Sequence, residues 1–326
     1  MAVQSLTNIR RQGQKTFKSS GIFTVPNNVH SVNVFLVAGG GGGSAANAGS
    51  GNSSAGGGGA GGQWLETSVA VTPGAQIPVI VGAGGKGGVY SSSNSNWGEP
   101  GTPGGDSQFS HVIAYGGSAG RGNLNDWSNL RHGTGGNLAS TSSANHSAGG
   151  GGSAGVTAAE MHLVRITTTS NNPLSGGGAT YVGQNFAADR GAYQPANMFG
   201  GAFGGDGATN AASWSSYNYP PYKTVGGFGG YTGRGYSGGG GGGFSRGTSY
   251  TATGNAMVGG FGFDGGGNGA TWNSSSNLYM GAVAGLPNTG GGGGGGADNL
   301  TATNVTTRNG ANGGSGLVII KWVEEF

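Results

Sequence analysis

The chain has 326 residues, of which 81 are Gly and 10 Pro, and its formal net charge is +3. Only 14 residues are Lys or Arg and 11 are Asp or Glu, against 6 Trp, 11 Tyr and 12 Phe. Disordered chains are rich in charge and poor in aromatics, so this balance excludes a disordered chain in spite of the glycine.

The basic leader, residues 1–20, carries Arg10, Arg11, Lys15 and Lys18 and no acidic residue. It lacks the apolar stretch of a secretory signal. Two readings of it stay open, a disordered terminus or an arm that attaches the protein to an acidic partner. The body that follows is close to neutral, which argues against a nucleic-acid surface. No run of 18 apolar residues is present, so no membrane-inserted helix is expected.

From residue 21 onward the strand signals come in order. Gly21–Pro26 and Val32–Ala38 are β-runs, the second apolar nearly throughout as for a strand buried on both faces. Gln63–Val71 alternates, with Leu65, Thr67, Val69 and Val71 on the expected buried side. Thr72-Pro73-Gly74-Ala75 reads as a turn. Ile77–Val81 follows, and Pro78 places it at an edge or a bulge. Phe109–Tyr115 is a further strand, and Gly316–Val323 closes the domain by pairing with the early strands.

Between these ends glycine runs recur at 39–43, 56–59, 149–152, 176–178, 238–243, 265–267 and 290–296. Gly in a helix interior costs about 1 kcal/mol relative to Ala, so α-helix is nearly absent; the best candidate, 157–164, is at most two turns. Extended helices of three residues per turn leave their backbone groups free to bond laterally in three directions. Only Gly lets such backbones approach closely. The fold class expected is therefore all-β and irregular: strands from both chain ends frame a glycine-rich body of packed polyglycine type II helices, with long surface loops. One domain spans residues 21–326.

The segments between the runs are rich in Asn, Ser and aromatics, a chemistry shared with antibody paratopes. Trp97, Trp127, Trp214, Tyr217, Tyr219, Tyr222, Trp272 and Tyr279 are the candidate receptor-binding residues. Apparent catalytic motifs are weak. Gly82–Gly87 spells G-x-G-x-x-G after a strand, but the residues that follow cannot form the helix a dinucleotide needs. Gly259–Asp264 begins a calcium-type nonapeptide without a tandem repeat. The chain has no Cys, and its five His show no metal-ligand spacing. No enzyme activity, cofactor or metal is expected.

Phe23-Thr24-Val25-Pro26 with VNVFLVAGGGGG (32–43) resembles the opening of the glycine-rich domain of phage tail-fibre proteins. GGGGAGGQW (56–64), VAVTPGAQIPVIVGAGG (69–85), GGDSQFSHVIAYGG (104–117) and GGSGLVIIKW (313–322) resemble its later blocks in order. A more distant similarity is to the distal adhesins of T-even-type phages, in which polyglycine helices form a sandwich with variable loops at one end. Only the short leader stands here in place of those adhesins' N-terminal attachment domain. The resemblance implies a virion protein assembled in the host cytoplasm, at the tail tip or fibre. Its implied partners are other tail and fibre proteins and a bacterial surface glycan or outer-membrane protein, with a homotrimer among the assemblies left open. A purely structural virion role (decoration, collar or fibre joint) is the alternative, and an ice-binding role a third reading.

Overall fold

The structure is a computed structural model. It describes residues 10–46, 54–91, 98–121, 139–140, 145–147, 236–237, 239–246, 262, 265–273, 278–298 and 307–325. Among these there is no α-helix.

Strands β1 (Arg10–Phe17), β3 (Ser31–Val37), β5 (Trp64–Ala70) and β15 (Leu317–Glu325) form one antiparallel sheet in the order β1-β15-β3-β5. Both faces of its middle are covered, which is why residues 34–37 of β3 and 317–320 of β15 are apolar without a break. Val32, Val34, Leu36, Val69, Val318 and Ile320 face one core. Phe35, Val37, Trp64, Leu317 and Ile319 face a second, smaller one together with Tyr236. The expected buried side of β5 holds at Val69, yet Trp64 on the other side is buried as well and Thr67 is exposed. The second core lies over only one end of the sheet, so burial of β5 changes along its length.

Strand β1 was not legible as one. Its residues are polar and mostly exposed, and only Phe17 is buried. It is held by its ladder with β15 along its whole length and by Phe17 in the first core, and the Trp322 indole occupies the space a Cβ at Gly13 would fill.

The second sheet contains β2 (Gly21–Thr24), β6 (Gln76–Ile80), β7 (Ser107–Phe109) and β8 (Val112–Ala114), in that order. Phe23, Val79, Phe109 and Ala114 turn into the first core, where Phe23 lies 5.4 Å from Trp322 and 6.0 Å from Phe109 between ring centroids. Each such buried ring or aliphatic side chain contributes about 1.5–3 kcal/mol. The turn after β5 forms as expected: Ala75 N–H donates to Thr72 O, with Gly74 at φ +75°. Two expectations are corrected. Strand β6 is internal, but β7 pairs only with Val79 and Ile80, so Pro78 lies beyond the end of that ladder and its missing N–H breaks nothing. The stretch 109–115 is not one strand: the chain reverses at Ser110, φ +54°, and Phe109 pairs with Val112.

Beyond the sheets the chain builds a lattice of extended three-residue helices. Segment 38–46 shows its logic. The N–H groups of Ala38, Gly41 and Ser44 donate to the carbonyls of Gln63, Ala60 and Gly57; those of Gly39, Gly42 and Ala45 donate to Gly105, Thr102 and Glu99; those of Gly40, Gly43 and Ala46 donate to Gly314, Ala311 and Arg308. Its carbonyls in turn accept from 85 and 88, from 117 and 120, and from 293 and 296. Segment 38–46 therefore has six hydrogen-bonded neighbours, the hexagonal packing expected of polyglycine type II. Segment 290–296 is a second centre, bonded to 38–46, 56–62, 239–243, 265–270, 281–286 and 308–314. Together these interactions arrange ten segments, among the described residues, in three layers. The middle layer runs 99–105, 38–46, 290–296, 265–270; 115–121, 56–63 and 239–243 lie on one side of it, and 82–88, 308–316 and 281–286 on the other.

Glycine content follows neighbour number. The centres have backbone on all sides: a Cβ at Gly41 would lie 2.0 Å from Ser118 O, and one at Gly293 would lie 2.0 Å from Ala311 O. Rim segments need Gly only where they face inward, so it recurs every third residue, as at Gly98, Gly101 and Gly104 or at Gly310, Gly313 and Gly316. Along 82–89 burial repeats with the same period, leaving Ala83, Lys86 and Val89 exposed. The glycine runs among the described residues are thus packing elements, and several further lattice segments contain no long run at all; the runs at 149–152 and 176–178 lie outside the described residues.

Candidate functional site

The lattice has two unlike ends. At one end segments 38–46, 56–63, 82–88 and 308–316 join directly to β3, β5, β6 and β15, so the strand sheets seal it. Ser107 makes part of that junction, its hydroxyl donating to Val37 O (2.7 Å) and accepting from Gly82 N–H (2.9 Å). At the opposite end the chain leaves or re-enters the lattice at Ala46, Ser91, Gly98, Arg121, Gly243, Ala270, Gly296 and Arg308. Two small sheets stand at this loop pole. One has β14 (Ala297–Asp298), β4 (Ser54–Ala55) and β9 (Ala139–Ser140); the other has β10 (Asn145–Ser147), β11 (Phe244–Arg246), β12 (Thr271–Asn273) and β13 (Leu278–Met280), each in the order given.

The root of the loop pole is fastened electrostatically. Arg308 Nε donates to Asp298 Oδ1 at 2.8 Å, with Asp298 buried, and the Arg308 guanidinium lies 4.5 Å from the Tyr90 ring centroid. The amide oxygen of Asn309 accepts from Tyr90 N–H and that of Asn312 from Gly87 N–H, so an outward row of period three on 308–316 satisfies donors of its neighbour.

Of the candidate receptor-binding residues, Trp272 and Tyr279 fall in strands and are direct cross-strand partners in β12 and β13. Trp97 lies in the segment between Ser91 and Gly98, and Trp127 follows Arg121; both are outside the described residues, as are Trp214, Tyr217, Tyr219 and Tyr222. The helix candidate 157–164 and most of the 259–264 motif are outside them too. The structure also brings His146 and Ser245 into register with Trp272 and Tyr279, an alignment across chain segments spread from 145 to 280 that no sequence spacing signals.

The attachment candidates lie at the other pole. Arg10, Arg11 and Lys15 are in β1, and Lys18 follows it. Arg10 and Arg11 pair in register with Glu325 and Glu324, so part of the leader's charge is placed beside acidic positions of the same chain. Lys15 Nζ reaches Ile22 O at 3.5 Å and sits over the Phe17 ring.

The G-x-G-x-x-G at 82–87 is a lattice segment. The N–H groups of Gly82, Gly85, Lys86 and Gly87 already donate to Ser107 Oγ, Gly40 O, Thr102 Oγ1 and Asn312 Oδ1, so the donors that would cradle a pyrophosphate are engaged. Among the described residues no three His, Asp or Glu cluster as metal ligands would.

Residues 16–323 match a family described as a glycine-rich domain, a span that takes in the second strand sheet, the whole lattice and the first sheet apart from most of β1 and the last two residues of β15. The chain belongs to this family. In this glycine-rich domain the glycine has a definite place, the contact faces of the lattice, and the match includes the closing strand nearly to its end. Comparison with curated proteins gives no match.

Proposed function

We propose that this glycine-rich domain is a bacteriophage virion protein, a tail-fibre or tail-tip adhesin that holds a host surface receptor with the aromatic, Asn- and Ser-rich segments of its loop pole. The observation that carries the reading is the bipolar build. A rigid, backbone-bonded lattice separates a pole sealed by the strands of both chain ends from a pole where the chain repeatedly leaves and returns. Rigid scaffolds that present loops are the usual platform for recognition. The sealed pole, with Arg10, Arg11, Lys15 and Lys18 and the exposed Ile22 and Ile80 of the second sheet, is then the mount on other tail proteins. The partner at the loop pole is a bacterial surface glycan or an outer-membrane protein, and binding involves no catalysis.

Purified protein should adsorb to susceptible cells and compete with the parent phage for them. Replacement of loop-pole aromatics by Ala should abolish both effects while leaving the melting temperature unchanged. Failure to adsorb to any host, together with a location away from the tail tip by electron microscopy, would favour the structural virion role instead.

A further inference from the structure

Asn-Gly occurs three times in the chain, at 268–269, 309–310 and 312–313, and two of the three stand one turn apart on the rim segment 308–316. The lattice asks for both residues. Gly310 and Gly313 face inward, where a Cβ would lie 2.2 Å from Gly43 O and 2.1 Å from Gly40 O. Asn309 and Asn312 face the neighbouring rim segment, where their amide oxygens accept from Tyr90 N–H and Gly87 N–H, both at 2.8 Å. An outward acceptor followed by an inward glycine is thus what this packing selects at its rim. It is also the dipeptide most prone to lose its side-chain amide, because no Cβ shields the glycine nitrogen.

That reaction needs only water and base. With its proton removed, the glycine nitrogen attacks Asn Cγ; the new N–Cγ bond closes an imide ring, and the Cγ–Nδ2 bond breaks to release ammonia. Water then opens the imide. Cleavage of the N–Cγ bond leaves Asp, and cleavage between the nitrogen and the backbone carbonyl leaves isoaspartate, whose main chain runs through Cβ and Cγ. One water is consumed and one ammonia released, with nothing oxidised or reduced. In the folded domain both partners of the attack are held by one neighbour. Gly310 N–H donates to Gly88 O at 2.9 Å and Gly313 N–H to Gly85 O at 2.8 Å, so losing either proton breaks a lattice bond. The Asn amides are turned toward the same neighbour by Gly87 and Tyr90, and Cγ reaches the next nitrogen only by leaving it. Four bonds to 85–90 therefore restrain two reactive pairs, although Asn312 is exposed to water. We propose that Asn309–Gly310 and Asn312–Gly313 are a latent deamidation site, closed by segment 85–90 and converted wherever that contact opens. Isoaspartate adds a methylene to the main chain and shifts the glycines beyond it out of the three-residue register, so a converted rim does not close again. The proposal is independent of the adhesin reading.

The test is incubation of the full chain at alkaline pH, folded and in guanidinium, with the peptides that carry the three Asn-Gly pairs followed by mass and by isoaspartate-specific methylation. Folded protein should convert at 309 and 312 at least about tenfold more slowly than unfolded protein, because the reaction proceeds only through opening. Arg308→Met frees the guanidinium's contacts with Asp298 and Tyr90 beside the first pair. It should speed conversion at 309 severalfold and at 312 less. The pair at 268 should keep its rate, since the Asn268 amide oxygen accepts from Gly262 N–H, at 3.0 Å, on a different segment. The wild-type comparison stands by itself if Arg308→Met fails to fold. On dilution from guanidinium, chain held until converted should recover less of its calorimetric transition than chain unfolded briefly. Equal rates in folded and unfolded chain would overturn the protection, and no conversion at 309 and 312 in guanidinium would overturn the site. Equal acceleration of all three pairs in Arg308→Met would overturn the part assigned to 85–90, and equal recovery on dilution the loss of register.

Discussion

The strand sheets and the glycine lattice of this molecule are stabilised by opposite means. In the sheets, side chains such as Phe23, Leu36, Phe109 and Ile320 leave water, and the backbone supplies the ladder that carries them. In the lattice there is almost no side chain to bury, and the backbone bonds, between 2.7 and 3.2 Å, are themselves the packing. Ordering a residue's backbone costs about 1–2 kcal/mol and one hydrogen bond returns about 0.5–1.5 kcal/mol net, so a lattice helix holds only when nearly every donor and acceptor is used. A side-chain core can absorb a change of shape; a backbone lattice has no such slack.

The two regions can be separated by mutation. The largest effect expected is from ending the chain after Gly316. This removes the strand that lies between β1 and β3, and the product should show no cooperative unfolding transition by calorimetry. Next are single methyl additions at a lattice centre. Gly41→Ala or Gly293→Ala sets a Cβ against a backbone carbonyl and should cost more than about 3 kcal/mol, whereas Ile320→Val in the sheet should cost about 0.5–1.5 kcal/mol. Chemical denaturation of the three variants side by side gives the comparison directly, and equal losses would refute it.

At the loop pole, Arg308→Met leaves the buried Asp298 carboxylate without its guanidinium and should cost about 3 kcal/mol. Adding Asp298→Asn should recover part of this in a double-mutant cycle. Hydrogen exchange should localise the loss to the ends of 82–91 and 307–312, leaving the strand sheets protected. The smallest effect concerns Glu66 on β5. Partial desolvation raises its pKa above the ordinary carboxylate value, and the nearby Lys321 charge pulls it back down. A raised acid pKa means the folded state holds the proton more tightly, so stability falls as pH rises from the ordinary value through the raised one. Because the group is largely exposed, the change should be a few tenths of a kcal/mol. Glu66→Gln should flatten that slope in pH-dependent melting, and Lys321→Met should steepen it.

Much of the strand pole was legible because alternation and apolar runs report burial directly, as in 32–38 and 317–320. The lattice was only half legible. Runs such as 39–43 and 290–296 announce the centres, where all three faces of the helix meet backbone. The rim segments 98–104 and 310–316 show the same demand as one Gly in three, a weaker signal that disappears among Asn, Ser and Pro. Strand β1 was hidden because, apart from Phe17, its side chains are polar and it is held by a ladder with β15, about 300 residues away. The register that aligns positions 146, 245, 272 and 279 was only partly in view. Trp272 and Tyr279 stand out in the sequence, but their alignment with 146 and 245 is set by strand pairing alone.

The position of β15 between two strands from the start of the chain also sets the order of events during synthesis. Residues 10–37 leave the ribosome well before Leu317–Glu325, yet their sheet stays open until that strand has been made. The same holds for segment 38–46, three of whose donors wait for 308–314 and two of whose carbonyls wait for 293 and 296. Nearly all of residues 10–325 must therefore be made before the centre of the domain can form. Folding of this domain has long-range closure as its slow step.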